Sequence, residues 1–209
     1  MNGAIRNIIF DFGGVLVELD KTRCIADFVR LGFHQAASWI DAYSQQGIFK
    51  ELELGLIEPE DFCKEVRSLT GLNVPDTEIW AVWNQLITGI PAIRLEALIE
   101  LRKHYRVFLL SNTNKVHWKY ACQHYFPHAG YKVQDYFEQI FLSYELHQVK
   151  PGRDIFLCVL NQTGIKAEET LFIDDSAQNC ETAHGLGLHT YQPKKGEDWR
   201  KIFADILKL

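Results

Sequence analysis

The stretch Ile8-Ile9-Phe10-Asp11-Phe12-Gly13-Gly14-Val15-Leu16 (IIFDFGGVL), close to the N-terminus, decides the fold. Residues 5–11 form a short, β-branched apolar run ended by a glycine-containing turn, which is typical of a strand buried in a parallel sheet. An ionisable residue, Asp11, stands at the end of that run. The two glycines behind it permit a tight turn whose backbone amides can approach an anion. The stretch therefore predicts a buried strand that carries a carboxylate to a binding edge.

Four further apolar runs alternate with helical segments along the rest of the chain. The predicted strands cover residues 105–112, 139–143, 170–176 and 188–192. The segments between and before them, at 93–101, 151–164 and 177–187, have the apolar spacing of helices, and the last two end at a glycine. Strands that alternate with helices predict an α/β fold, with a doubly wound parallel sheet covered on both faces.

A block of helices interrupts this alternation directly after the first strand. From about residue 21 to residue 86 the apolar side chains recur at helical spacing, and we expect no strand there. The clearest helix begins at Pro59 and ends at Gly71, with acidic residues in its first turn. The aromatic residues Phe49, Trp80 and Trp83 are expected in the core of a helical bundle, and the alternative for one or two of them is the entrance to a ligand site. At the other end of the chain, residues 198–209 predict one amphipathic closing helix.

Composition limits the classes of function. The chain has 209 residues, of which 47% are hydrophobic and 23% charged, as in ordinary globular proteins. Its net charge of −5 argues against binding to nucleic acid or to an anionic membrane, because either partner requires a basic surface. We find no signal peptide or membrane-spanning stretch, and the five cysteines form no CxxC pair. A cytoplasmic protein is therefore expected.

Polar side chains end several of the predicted strands. Asp11 ends the first, Ser111 and Asn112 end the second, and Asp174 and Asp175 end the fourth, while Lys150 lies in the loop behind the third. In an open parallel sheet, ligands bind beyond the carboxyl ends of the strands. Three clustered carboxylates favour a hard divalent cation such as Mg²⁺, and a hydroxyl with an ammonium group suits phosphate. A carboxylate that faces a bound phosphate is a competent nucleophile.

The segments DFGGV, LLSN, VKP and FIDDSAQN, in this order, resemble the four motifs of the haloacid dehalogenase-like (HAD) hydrolase superfamily. The helical block between the first two motifs resembles the small helical cap of that superfamily. The resemblance covers essentially the whole chain. It implies a Rossmann-like α/β core formed by residues 1–17 and 91–209, with an inserted helical cap at residues 18–90.

The resemblance also implies roles for individual residues. Asp11 matches the nucleophile that becomes a phospho-aspartate, and Lys150 matches the lysine that orients the phosphoryl group. The implied ligands of Mg²⁺ are Asp11, the backbone carbonyl of Gly13, Asp174 and Asp175. The implied phosphate-binding residues are Ser111, Asn112 and Lys150, with Asn179 as further polar support.

Gly13 is the position at which the chain departs from the family pattern. Most phosphatases of the superfamily carry a second Asp there, which protonates the leaving oxygen and later deprotonates water. Three interpretations follow. In the first, the enzyme manages without this acid because the leaving group of its substrate needs less help, as in an anomeric sugar phosphate; a subgroup with an Asp-x-Gly-x-Val motif, which includes bacterial sugar-phosphate phosphatases, resembles this chain. In the second, a carboxylate such as Glu18 or Asp20 replaces the acid. In the third, the chain is a non-catalytic or degenerate binding protein.

Two other classes use similar residues. Receiver domains combine an acidic pair, an aspartate, a hydroxyl and a lysine, but their acidic pair comes first in the chain, whereas here it comes last. A 2-haloacid dehalogenase would also lack the second acid and would use an arginine such as Arg23, but it would not need Asp174 and Asp175. The sequence therefore predicts a Mg²⁺-dependent phosphatase of a small phosphorylated metabolite, such as a sugar phosphate, that acts through Asp11.

Overall fold

A computed structural model describes residues 4–40 and 45–208. These residues form seven strands, which are β1 (Asn7–Phe10), β2 (Glu18–Leu19), β3 (Ile87–Gly89), β4 (Arg106–Ser111), β5 (Gln139–Leu142), β6 (Thr170–Ile173) and β7 (His189–Tyr191). Five of them build one sheet in the order β5-β4-β1-β6-β7, and all neighbours in it are parallel. The expectation of a parallel α/β sheet is confirmed, and the strand that contains Ile8 lies at its centre.

Helices and short 3₁₀ turns connect the strands. The helices are α1 (Lys21–Arg30), α2 (Ala36–Trp39), α3 (Gly47–Glu53), α4 (Pro59–Thr70), α5 (Asp76–Trp83), α6 (Ala92–Leu101), α7 (Lys115–His124), α8 (Val133–Tyr136), α9 (Ser143–Leu146), α10 (Arg153–Thr163), α11 (Ala177–His184) and α12 (Ala204–Leu207). The 3₁₀ turns cover Asn84–Leu86, Ala167–Glu169 and Trp199–Phe203.

Both faces of the sheet are buried. Ile8 and Phe10 of β1 belong to one apolar cluster, and Ile9, which points to the opposite face, belongs to another. Side chains alternate between the faces of a strand, so a strand covered on both sides is apolar at every position. This covering explains why residues 8–10 of β1 form a continuous apolar run, while the buried Asn7 side chain at the start of the strand donates a hydrogen bond to Thr170.

The helices α1–α5 pack into a separate bundle between β2 and β3, which we call the helical insertion (residues 20–86). Its core is aromatic, and Phe49 and Trp83 are buried at its centre with ring centroids 4.7 Å apart. Helix α4 begins at Pro59, and Gly71 ends it in the left-handed conformation, with φ of 68°. The sequence signals for this helix and for the aromatic core agree with the structure.

A two-stranded ribbon joins the helical insertion to the sheet. Strand β2 enters the insertion and β3 leaves it, and the two pair antiparallel through Glu18 and Gly89. Both strands lie at the ends of the block in which the sequence predicted helices alone. They are two and three residues long, which is too short for a period-two pattern to become visible in the sequence.

The prediction of one amphipathic helix over residues 198–209 is wrong. A 3₁₀ turn at Trp199–Phe203 comes first, and α12 then continues for a single turn. Trp199 and Phe203 are buried, but Ile202 is 40% exposed. The Trp199 indole donates a hydrogen bond of 3.0 Å to the Val15 carbonyl, and Phe203 packs into the same core cluster, so two buried side chains hold the segment against the core. An apolar pattern alone does not separate this arrangement from a helix.

The helices are short in comparison with a bilayer. The longest described helix, α4, has 12 residues. At a rise of about 1.5 Å per residue it measures about 18 Å, whereas the hydrocarbon core of a membrane is about 30 Å thick. Within residues 4–40 and 45–208, no helix is long and apolar enough to cross a membrane.

Candidate active site

The ends of three neighbouring strands form the site. Because β4, β1 and β6 are adjacent in the sheet, their carboxyl ends bring together Ser111, Asp11 and the Asp174-Asp175 pair. The Asp11 amide donates a hydrogen bond of 2.9 Å to the Ile173 carbonyl, which extends the pairing of β1 with β6 by one residue. The sheet therefore fixes the backbone of the nucleophile candidate against the segment that carries the acidic pair.

Lys150 connects two of these carboxylates. Its Nζ lies 2.6 Å from Asp11 Oδ1 and 2.7 Å from Asp174 Oδ2, and its side chain is almost completely buried. Burial alone would lower the pKa of Lys150, but the carboxylates of Asp11 and Asp174 raise it above its usual value. The lysine is therefore a fixed cation at the base of the site.

Asp174 is held in one orientation by its neighbours. Oδ1 accepts hydrogen bonds from the Ser176 amide at 2.8 Å and from Asn179 Nδ2 at 3.0 Å, while Oδ2 accepts from Lys150. Asn179 therefore contacts the acidic segment through Asp174. Asp174 itself is fully buried, and Asp175 is the more accessible member of the pair.

The three carboxylates can share one cation. One oxygen each of Asp11, Asp174 and Asp175 lies within 4.8 Å of the others. Burial, opposed by Lys150, raises the pKa of Asp11 to about 8, and burial together with Asp174 raises the pKa of Asp175 to about 6. A single lysine thus does not offset three close carboxylates. An oxygen-only donor set with excess negative charge fits Mg²⁺.

The glycines after Asp11 have different tasks. Gly14 adopts a φ of 74°, and a Cβ there would collide with the Asp175 carboxylate. This position has to be glycine for Asp175 to approach. At Gly13 a Cβ would stand 3.4 Å from the tip of Leu19, which is ordinary contact with a flexible side chain. The fold therefore tolerates a side chain at position 13, although the chain has none.

The residues expected to bind phosphate have distinct surroundings. The Asn112 side chain donates 2.8 Å to the Lys150 carbonyl and accepts 2.8 Å from the Lys150 amide, so its amide holds the lysine loop in place. Ser111 Oγ is buried and has no hydrogen-bond partner among the described residues. A buried hydroxyl without a partner is costly unless a ligand satisfies it, which agrees with an anion at this edge.

A cavity of about 70 Å³ lies above these groups. The sheet edge supplies Asp11, Gly13, Asn112, Lys150, Asp175 and Asn179 to its lining. The helical insertion supplies the other wall, with Gln45, Glu53, Trp83 and Leu86. The sequence favoured Trp83 as a bundle residue and left open that it lines the entrance, and it did not identify Glu53. A glycine two residues after Glu53, at a turn between helices, is the single weak signal that the sequence offers.

The two carboxylates that the sequence offered as a replacement acid lie elsewhere. Glu18 has a side chain that is 62% exposed, and it faces Arg94 at 3.6 Å. Asp20 caps α1 by accepting a hydrogen bond of 2.9 Å from the Arg23 amide. Neither residue lines the cavity, and Arg23, the candidate arginine of the dehalogenase interpretation, does not line it either.

His117 joins the insertion to the core at the rim of the cavity. Its Nδ1 accepts a hydrogen bond of 3.1 Å from Asn114 Nδ2, so the proton resides on Nε2, which donates 2.9 Å to the Trp83 carbonyl. The imidazole and indole rings have centroids 4.4 Å apart. Burial lowers the pKa of His117 to about 4, and the bond to Trp83 opposes the shift. His117 is therefore a neutral structural contact and not a metal ligand.

The sequence matches a family model and a curated relative. Residues 5–187 match the model described as haloacid dehalogenase-like hydrolase. A D-ribitol-5-phosphate phosphatase of Bacteroides thetaiotaomicron is 37% identical over 203 residues, which cover 97% of this chain and 98% of that protein.

Two solved structures have the same fold along nearly the whole chain. A HAD family enzyme of Bacteroides thetaiotaomicron, solved in complex with magnesium and inorganic phosphate, is 45% identical with a TM-score of 0.91, and the match covers 96% of this chain and all of that one. A HAD-like family hydrolase of Porphyromonas gingivalis is 34% identical with a TM-score of 0.90, over 99% of this chain and all of that one.

Proposed function

The chain belongs to the haloacid dehalogenase-like hydrolase family, and from this membership we propose that it is a Mg²⁺-dependent phosphatase of a small phosphorylated metabolite. Within that class we propose a sugar phosphate or sugar-alcohol phosphate as the substrate. The similarity along the whole chain to a D-ribitol-5-phosphate phosphatase supports this choice. The five described cysteines are free thiols, which supports a reducing, cytoplasmic location.

The observation that carries the proposal is the group of three carboxylates around one buried lysine. Asp11, Asp174 and Asp175 bring oxygens within 4.8 Å of one another, and Lys150 contacts two of them. A dehalogenase needs no such excess of negative charge at its nucleophile. A phosphatase does, because the charge holds the cation that accompanies a phosphate group.

We assign the Mg²⁺ ligands to Asp11, the backbone carbonyl of Gly13, Asp174 and Asp175. The unpartnered Ser111 hydroxyl and the close approach that Gly14 permits support a cation with an anion at this edge. Bound Mg²⁺ would supply positive charge that stabilises the phosphoryl oxygens during transfer.

The chain's own residues then divide the reaction between them. One oxygen of Asp11 forms a bond to phosphorus while the bond from phosphorus to the ester oxygen breaks, and its electron pair leaves with that oxygen, which takes up a proton. Lys150 holds the Asp11 carboxylate and faces the transferred group as a cation. Water then attacks phosphorus, the bond to Asp11 breaks, and the Asp11 carboxylate returns with its electron pair.

We also propose that residues 18–90 act as a cap over the site. Gln45, Glu53 and Trp83 of the insertion form the cavity wall opposite the catalytic carboxylates. We propose that this wall moves aside when the substrate enters, because the insertion covers the cavity on the side opposite the sheet edge. Closure over the bound substrate would exclude water and select its shape.

The test is phosphate release from a panel of sugar phosphates and sugar-alcohol phosphates by the wild type and by Asp11→Asn. The wild type is expected to require Mg²⁺ and to lose activity with EDTA. Asp11→Asn is expected to fold normally by circular dichroism and to show no turnover. If a folded Asp11→Asn variant retained phosphatase activity, Asp11 would not be the nucleophile. If the wild type released no phosphate, a binding protein would be favoured instead.

A further inference from the structure

The proposed reaction needs a group that protonates the leaving oxygen. An alkoxide leaves with difficulty unless it is protonated, and general acid catalysis typically contributes about 10²–10⁴-fold. The position two residues after Asp11 has no side chain, because Gly13 occupies it. Glu18 and Asp20, the nearest carboxylates along the chain, do not line the cavity. If the protein itself supplies a proton donor, that donor therefore belongs to another part of the molecule.

Glu53 is the only acidic residue of the insertion's described part that lines the cavity. It is the last residue of α3, and it enters the cavity from the wall opposite the sheet edge. Its electrostatic neighbours are Lys150 and Asp11, which are the two ends of the central ion pair. A carboxyl group in this position shares the cavity with the nucleophile and lies on its opposite wall.

The segment after β5 holds the backbone at the end of α3 through two contacts. Ser143 Oγ lies 2.7 Å from the Glu53 carbonyl oxygen, to which it can donate, and His147 Nδ1 lies 2.9 Å from the next carbonyl, that of Leu54. Ser143 and His147 both belong to the segment that follows β5, at the same edge of the sheet as the site. Gly55 permits this docking, because a Cβ there would collide with the Tyr144 carbonyl.

We propose that Glu53 is the general acid and base of this enzyme, supplied by the cap in place of the Asp that the first motif lacks. The inference rests on the proposed phosphatase function and deepens it. In the first step the Glu53 carboxyl gives its proton to the departing ester oxygen and becomes a carboxylate. In the second step that carboxylate takes a proton from the attacking water, and phosphate is released as the Asp11 carboxylate is regenerated. Each turnover returns Glu53 to its protonated form.

The surroundings of Glu53 agree with this role. Burial raises its pKa to about 8, Lys150 opposes the shift and Asp11 adds to it, so the group carries its proton at neutral pH. The titratable and charged groups that face Glu53 or line the same cavity are Lys150, Asp11, Asp175 and His117 from the core, and Lys50 from its own helix. Because the acid sits on the cap, closure would bring the donor and the substrate together.

The experiment compares two kinds of leaving group in the wild type and in Glu53→Gln, which preserves shape but has no acidic proton. An alkyl phosphate of the sugar-alcohol class needs a proton on its leaving oxygen, whereas p-nitrophenyl phosphate and acetyl phosphate have stable leaving groups. For Glu53→Gln we expect the rate on the alkyl phosphate to fall about 10²-fold or more and the rate on the activated phosphates to change little. Activity on the activated phosphates also reports that the variant is folded.

The matched control is Glu51→Gln, which removes an exposed carboxylate from the same helix and is expected to change neither rate. A second test introduces a side chain at position 13, where the structure leaves space for one. Gly13→Asp, which meets only the flexible tip of Leu19, is expected to raise the alkyl phosphate rate far more in the Glu53→Gln background than in the wild type. The pH profile gives an independent readout. The rate of the wild type on the alkyl phosphate should decline at high pH, where Glu53 is deprotonated, and this decline should be absent in Glu53→Gln.

Two results would overturn the inference while leaving the phosphatase function intact. One is an alkyl phosphate rate that survives in Glu53→Gln. The other is an equal loss on alkyl and activated phosphates, since a residue that only positions the substrate would affect both. A wild type that releases phosphate from none of these substrates with Mg²⁺ would instead overturn the proposed function and this inference with it.

Discussion

At the scale of single residues, the site depends on how closely its segments can approach one another. Gly14 lets the turn after β1 lie against Asp175, and Asn112 holds the Lys150 backbone through both of its amide atoms. Motif order in the sequence nominated Asp11, Lys150 and Asp175, and the structure brings these three side chains to one edge of the sheet. The sequence did not indicate which neighbour a residue supports, because contacts such as that of Asn112 with Lys150 join positions far apart in the chain.

Gly14→Ala tests the close approach. The added methyl group would push the Asp175 carboxylate away, so we expect the Mg²⁺ concentration needed for half-maximal activity to rise about tenfold or more. Isothermal titration of Mg²⁺ gives the same quantity without turnover. Gly130→Ala is the matched control, because Gly130 also has a positive φ, of 88°, but has nothing within 4 Å of the added Cβ. An equal effect of both substitutions would mean that backbone strain alone is responsible.

At the scale of elements, the local signals in the sequence located most helices and strands, and long-range packing decided the exceptions. Helix α4 agrees at both ends with its prediction, because Pro59 and Gly71 act within the helix itself. The C-terminal segment does not, since the anchoring of Trp199 by Val15 is a contact across the whole chain. The role of α3 also lies outside local patterns, because its end is positioned by Ser143 of α9.

Gly55→Ala tests the docking of the turn after α3 on α9. Alanine in the left-handed conformation costs about 1 kcal/mol of unfolding free energy, and here its methyl group would also collide with the Tyr144 backbone. We expect a larger loss of stability than 1 kcal/mol and a fall in kcat of about 10²-fold, since a displacement of about 1 Å at a catalytic group can cost that much.

Gly71→Ala provides the comparison for this variant. Gly71 has a φ of 68°, close to the 65° of Gly55, but the space around its Cβ position is open. We expect it to lose about 1 kcal/mol in urea denaturation and to keep its kcat. If both variants retained full activity, the docking of this turn would not position the site.

At the scale of the whole molecule, the core and the helical insertion meet around the cavity, and His117 is one of their connections. The imidazole is neutral and buried, and its pKa of about 4 in the folded state lies below the value near 6.5 of an unfolded chain. Between these two values the unfolded state binds a proton that the folded state does not bind. Stability from this group is therefore complete above about pH 6.5 and is lost as the pH falls toward 4.

His117→Gln tests this dependence on pH. The free energy of unfolding is measured by urea denaturation at pH 7.5 and at pH 4.5. Between these two pH values it should fall by about 2 kcal/mol more for the wild type than for the variant. The other titrating groups are common to both proteins and cancel in this difference. His184→Gln, at an exposed position of α11, is the control and should behave like the wild type. Parallel losses for the wild type and His117→Gln would show that His117 does not carry the dependence.

The ribbon of β2 and β3 has a consequence for how new specificities arise. Because Glu18 pairs with Gly89, the chain leaves the core and returns to it at one place, and a different helical segment can be spliced between these points without altering the order of the sheet. In a relative whose general acid lies in the core, two residues after the nucleophile, a new helical segment changes only the substrate that is selected. Here the inserted helical segment carries the proton donor. Exchanging that segment would therefore change substrate selection and the protonation of the leaving group at the same time, so the two properties would evolve together.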